Sequence, residues 1–200
     1  RRAAMQEALR RSAVPGSIDV NIMVKGDRDL YRNGEKQPPM FSDALAAFRG
    51  FAESTLASSI VLSAGINPRL FSYAAEFDDF LPDEQGRMKK KIILKVSDYH
   101  SAEVQGRFLA KRGLWVSEFR VESGLNCGGH AFATRGMLLG PILEQFVQKK
   151  QELVEQLRET CEKALARRGR PAARLPDNVR ITVQGGIGTA AEDAMLREHY

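Results

Sequence analysis

Strand-like and helix-like stretches alternate five times along this chain, and that alternation limits the possible folds more than any other feature. Residues 18–24, 59–64, 91–97, 115–121 and 179–184 are short runs rich in β-branched and apolar residues. Each feeds a turn or loop and then a segment with helical apolar spacing. Such a pattern predicts an α/β fold with a parallel sheet, because parallel neighbours need a crossover and a helix is the usual one.

The helical segments have recognisable starts, stripes and ends. Residues 25–41 carry Gly, Asp, Asn and the Pro38-Pro39 pair and read as a long loop, after which Ser42 can cap a helix bearing Leu45, Phe48, Phe51, Ala52 and Leu56. A short helix is expected at 71–77 and a polar loop at 82–87. The next helix spans 101–112, with Ser101 as its cap, Val104, Phe108 and Leu109 on one face and Gly113 at its end. A helix of about 28 residues starts near Pro141, a residue suited to a first helical position. Its apolar stripe is Ile142, Leu143, Phe146, Leu153, Leu157, Cys161 and Leu165. A last helix begins at Thr189. Five β/α units amount to about five-eighths of a (β/α)8 TIM barrel, which needs roughly 250 residues. The expectation is therefore a partial (β/α)8 barrel formed as one α/β domain over residues 1–200, part of a longer chain, since Arg1-Arg2-Ala3-Ala4 has neither an initiator Met nor a signal peptide's apolar segment. The free edges of an unclosed sheet invite pairing, so self-association is expected too.

Composition narrows the function classes. No apolar run reaches the ~18 residues of a membrane helix, so no membrane partner is expected. Cys127 and Cys161 are too few for a disulfide scaffold and match no zinc spacing, which favours a reducing cytoplasmic setting and no metal site. The net charge is +5, with positive residues gathered at Lys89-Lys90-Lys91 and between Arg167 and Arg174. No aromatic residues interleave with these runs, so they read as solvated element ends and not as a nucleic-acid surface.

Two loops carry candidate chemistry. In the first, Gln184-Gly185-Gly186-Ile187-Gly188-Thr189 leaves a strand and enters a helix. Glycines allow positive φ and close backbone approach, and the free N–H groups of a helix start suit a phosphate. The same residues also satisfy a simpler reading, a tight turn followed by the capping box Thr189-x-x-Glu192. The G-x-G-x-x-G spacing of a dinucleotide site is absent. In the second loop, Glu122 is followed by Asn126-Cys127-Gly128-Gly129-His130, just past the carboxyl end of a strand, where parallel barrels hold their active sites. His130 has the titration range of an acid–base group near neutrality. Cys127 is a candidate nucleophile, although three residues from its His it rarely has dyad geometry. A third candidate is Lys95, which lies among Ile92, Ile93, Leu94 and Val96. It is either a buried functional amine, able to meet a flavin edge or form a Schiff base, or a lysine that points at solvent or pairs with Asp98 or Glu118.

Taken together, these residues resemble the nitronate monooxygenase family and the related flavin-type enoyl-acyl-carrier-protein reductases. The matching elements, in chain order, are Val20-Asn21-Ile22, the small-residue turn Ser63-Ala64-Gly65, Glu122 with Cys127-Gly128-Gly129-His130, and Gly185-Gly186-Ile187. The 93–97 strand, with its Lys95, looks more like the flavin barrel of glutamate synthase. The chain departs from the family pattern at Asn126-Cys127, in its longer helix after that turn and in Gly188-Thr189. The resemblance implies an FMN-dependent oxidoreductase acting on a small molecule, the chain spanning barrel strands two to six. It implies that the phosphate of FMN rests on Gly185, Gly186, Gly188 and Thr189, that Asn21 approaches the flavin ring, and that Lys95, Glu122, Gly128 and Gly129 belong to the same cofactor site. It further implies that His130 is the base that removes a proton α to a nitro or similar group. A non-redox isomerase or lyase acting on a phosphorylated substrate, with Lys95 as its Schiff-base residue, is the alternative.

Overall fold

A computed structural model describes residues 2–13, 17–24, 26–122, 139–170 and 172–200. Five parallel strands form one sheet: β1 (Asp19–Ile22), β4 (Ser59–Leu62), β5 (Lys91–Val96), β6 (Val116–Glu122) and β7 (Arg180–Gln184), neighbours in that order. Every strand therefore pairs with the next long strand along the chain. The intervening helices are α2 (Asp43–Ala52), α3 (Pro68–Ala74), α4 (Tyr99–Ala110) and α5 (Leu139–Arg167), and α6 (Ala190–His199) follows β7. Among the described residues β1 and β7 do not pair with each other, so the sheet is an open arc and not a closed barrel.

Period-two alternation separates the two faces of this sheet. Ile22, Ile60, Leu62, Ile92, Leu94, Val96, Phe119 and Val121 share one apolar core with residues of α2, α3, α4 and α5, and Val20, Ile181 and Val183 pack against it. These strand residues lie in register, Val20 opposite Ile60, Leu94 opposite Phe119 and Phe119 opposite Ile181. The helices thus cover a single face, as expected of units wound in one direction. Burying this face is the main term holding the fold, at about 25 cal/mol for each Å2 of apolar surface removed from water.

The core also sets how closely the helices lie. Leu143, Phe146, Leu153, Leu157, Cys161 and Leu165 of the long α5 are all buried. Its apolar stripe faces the body of the protein, which leaves none of it for a coiled-coil partner. In α4, a Cβ on Gly106 would lie 3.0 Å from both Leu157 Cδ1 and Phe119 Cζ, so a larger residue there requires these two side chains to shift. Burial pushes the Cys161 thiol up to about 12, which keeps it protonated and inert at physiological pH.

Several local expectations need correction. Ser42 stands at the N-cap of α2, but its hydroxyl donates to Asp27 Oδ2 at 2.7 Å. Asp27 Oδ1 accepts from Ala44 N at 3.2 Å, so a carboxylate from the preceding loop satisfies the helix start. The 25–41 loop holds a small antiparallel hairpin, β2 (Tyr31–Arg32) with β3 (Glu35–Lys36), turned by Asn33 and Gly34 at positive φ. The helix expected at 71–77 begins three residues earlier, because Asn67 Oδ1 accepts from Leu70 N at 3.0 Å and Pro68 takes the first helical position. In α4 the cap is Asp98, whose Oδ1 accepts from Ser101 N at 2.7 Å, and Val104 faces solvent while Ala102, Gln105, Gly106 and Leu109 face the core. At the start of the chain α1 (Arg2–Ser12), a helix the sequence reading did not anticipate, buries none of its residues.

Candidate functional site

The uncovered face of the sheet is largely polar, with the buried Val61 of β4 and Ile93 of β5 as apolar members at its middle. Along it stand Asp19 and Asn21 of β1, Lys95 of β5, Glu118, Arg120 and Glu122 of β6, and Arg180, Thr182 and Gln184 of β7, placed together by the register. Arg120 Nη2 lies 3.4 Å from Asp19 Oδ2 even though two strands separate β6 from β1. Strands are spaced by about 4.8 Å, so side chains rising from a flat sheet would not meet across three such steps. They meet because the sheet curls with its polar face inward. A cavity of about 450 Å3 runs across this face and is bounded by Asp19 on one edge strand and by Thr182 and Gln184 on the other.

Two groups of charges occupy the concave face. Glu118, almost fully buried, accepts from Arg120 Nε at 2.8 Å and from Thr182 Oγ1 at 2.7 Å, and its other oxygen pairs with Arg180 Nη2 at 3.1 Å. Nearer the carboxyl ends of the strands, Lys95 Nζ donates to Glu122 Oε1 at 2.6 Å, with side-chain exposures of 7% and 10%. Lys95 is therefore buried and paired. Its partner is Glu122, where the sequence had suggested solvent, Asp98 or Glu118. A buried charge is tolerated only when paired and hydrogen-bonded, which accounts for the closeness of these contacts.

The turn between β7 and α6 takes the form of the simpler reading, a tight turn followed by a capping box. Gly185 and Gly186 have φ of 82° and 79°, a region that disfavours side chains. The capping box is formed: Thr189 Oγ1 accepts from Glu192 N at 3.2 Å. Glu192 Oε2 accepts from Gly188 N at 2.7 Å and from Thr189 N at 2.9 Å. These bonds, the one from Gly188 foremost, hold the Glu192 carboxyl below its ordinary value. The turn thus binds an oxyanion, and the anion it binds belongs to its own helix.

Of the residues singled out in the sequence, Asn21, Lys95 and Glu122 share the concave face toward the carboxyl ends of their strands. Gly185, Gly186, Gly188 and Thr189 form the turn at the carboxyl end of β7. Cys127, Gly128, Gly129 and His130 lie outside the described residues. The Asp19, Glu118, Arg120 and Thr182 network was missed as a unit. Its signal is the alternation of polar residues at 118, 120 and 122, 19 and 21, and 180, 182 and 184 in otherwise apolar strands, which marks a face that no helix covers. Among the described residues no group of three or more His, Cys, Asp or Glu could hold a metal ion, and no helix is long and apolar enough to cross a membrane. No family model, curated protein or solved structure matches this chain.

Proposed function

We propose that this chain forms part of an FMN-dependent oxidoreductase of the nitronate monooxygenase-like class, the five-stranded arc being a portion of a (β/α)8 barrel. The observation that carries the reading is a juxtaposition. A buried Lys95–Glu122 pair stands on the concave polar face, and a double-glycine turn that already holds an oxyanion lies at the carboxyl end of the same sheet. Parallel barrels gather their chemistry at that end.

The residues fit the cofactor in kind. Gly188 N and Thr189 N have the orientation a phosphate oxygen needs, since a carboxylate oxygen accepts from both. A phosphate takes them once Glu192, an exposed side chain, swings aside. Glu122 holds the Lys95 amine on the concave face, where its positive charge suits the electron-rich edge of a flavin, and Asn21, on the same face, would orient the ring. FMN supplies an electron acceptor when bound. His130 takes the proton α to the nitro group of a small substrate.

The absorption spectrum of the purified protein is the deciding measurement. The expected result is a pair of bands near ~370 and ~450 nm, or their appearance on uptake of added FMN. Gly186→Ala is expected to lose FMN, and His130→Ala to keep it while losing turnover of nitroalkanes. A protein that is colourless and takes up no FMN would overturn the reading. One specific observation favours a second one in that event. Lys95 has a single carboxylate partner, and once Glu122 takes a proton from it the amine can attack a substrate carbonyl and form an imine with release of water. Borohydride trapping of a phosphorylated carbonyl substrate on Lys95 would support a non-redox isomerase or lyase.

A further inference from the structure

A second polar cleft, of about 510 Å3, opens at the amino-terminal ends of β5, β6 and β7, away from the β7–α6 turn. Arg87, Lys91 and Arg180 line it together with Ser117 and Asn178, and no carboxylate is among its lining residues. Asp83 and Glu118 neutralise part of this charge from outside, Asp83 through Arg87 Nε at 2.9 Å and Glu118 through Arg180 Nη2 at 3.1 Å. Both guanidinium groups are largely exposed and keep further N–H donors. Lys91 is exposed and makes no ion pair among the described residues.

An irregularity in the sheet points into the same cleft. Pairing of β5 with β6 jumps from Ile92–Val116 to Ile93–Glu118, so Ser117 is an extra residue with no opposite number. Such bulges re-aim side chains and are rare between parallel strands. The Ser117 hydroxyl is buried and has no hydrogen-bond partner. An unpartnered buried hydroxyl, set by a bulge at the floor of a cationic cleft, is a donor without an acceptor.

We infer that this cleft is an anion site for a small ligand carrying a diphosphate group. Two guanidinium forks and one ammonium suit several phosphate oxygens at once, and the cleft is larger than one phosphate requires. Ser117 Oγ and the Asn178 amide supply neutral hydrogen bonds that fix the group's orientation. The site is separate from the β7–α6 turn, so it does not depend on the flavin reading.

Titration calorimetry of the whole chain with inorganic pyrophosphate at low ionic strength tests the inference. One site is expected, weakened by added salt. Lys91→Gln and Arg87→Gln, both exposed substitutions, should each lower affinity about tenfold, the loss of one charge-assisted hydrogen bond, and Ser117→Ala should lower it less. FMN uptake should be unchanged in Lys91→Gln. Absence of pyrophosphate binding, or equal affinity in Lys91→Gln and Arg87→Gln, would overturn the assignment. Loss of binding in Gly186→Ala alone would place the anion at the β7–α6 turn instead. Binding of a single-stranded oligonucleotide in the absence of any pyrophosphate binding would replace the small ligand with a nucleic-acid backbone.

Discussion

The two faces of one sheet solve opposite physical problems. On the covered face, Ile60, Leu62, Ile92, Leu94, Val96, Phe119 and Val121 gain stability from burial under α2 to α5, and the gain tolerates small changes of geometry. On the concave face, Lys95, Glu118, Arg120 and Glu122 have given up much of their water and recover that cost through hydrogen bonds and ion pairs of 2.6 to 3.4 Å. Such pairs add little net stability. What they do is hold charged groups at defined places on a surface that no helix occupies. The same strands therefore carry the fold on one side and the candidate chemistry on the other, and a residue's place in the two-residue period decides which role it has.

Substitutions graded by face would break or sharpen this contrast. The largest effect is expected from Phe119→Ala, which empties the centre of the covered face and should cost about 3–5 kcal/mol in a urea denaturation series. Glu118→Ala on the opposite side of the same strand should cost about 3 kcal/mol, near the lower end for breaking a buried pair, because Arg120 and Arg180 can turn toward water. A comparable loss in a variant where the arginines are also neutralised would contradict the pairing argument. In a double-mutant cycle, Lys95→Met and Glu122→Gln should show a coupling of about 1–2 kcal/mol, and zero coupling would remove the Lys95–Glu122 pair from the site.

Smaller effects belong to α6, which packs Leu196 against the core but buries none of its residues. Thr189→Ala should lower its local stability by about 1 kcal/mol, read as faster hydrogen exchange in 190–199. The smallest effect concerns pH. The Glu192 carboxyl is depressed in the folded state, so its contribution is present above the ordinary value of 4.5 and is lost as pH falls through the lower folded value. Exchange in α6 should therefore accelerate in that acid range, and Glu192→Gln should abolish the step.

Much of the fold was legible because strands and helices announce themselves locally. All five strands and the α5 stripe fall where period and composition put them, since burial of an amphipathic face leaves a regular trace in the chain. The glycine turn after β7 and its capping box were legible for the same reason. Helix caps were less so. Ser42 shows why: its helix start is satisfied by Asp27, 17 residues from Ala44, and only the path of the loop selects that carboxylate, whereas the Asp98 cap of α4 is local, three residues before Ser101. Lys95 was visible as an anomaly, but its partner is 27 residues away.

The sequence by itself determined the five long strands, their order and the apolar stripe of α5, because these depend on local propensity and on periods of two and 3.6 residues. Only the tertiary structure decided that the arc stays open between β1 and β7 among the described residues, which polar residues meet on its concave face, and that Asp19 reaches Arg120 across two intervening strands. Those outcomes depend on which faces find each other in three dimensions. Asp19 and Arg120 are 101 residues apart in the chain, so local propensity carries no trace of their contact.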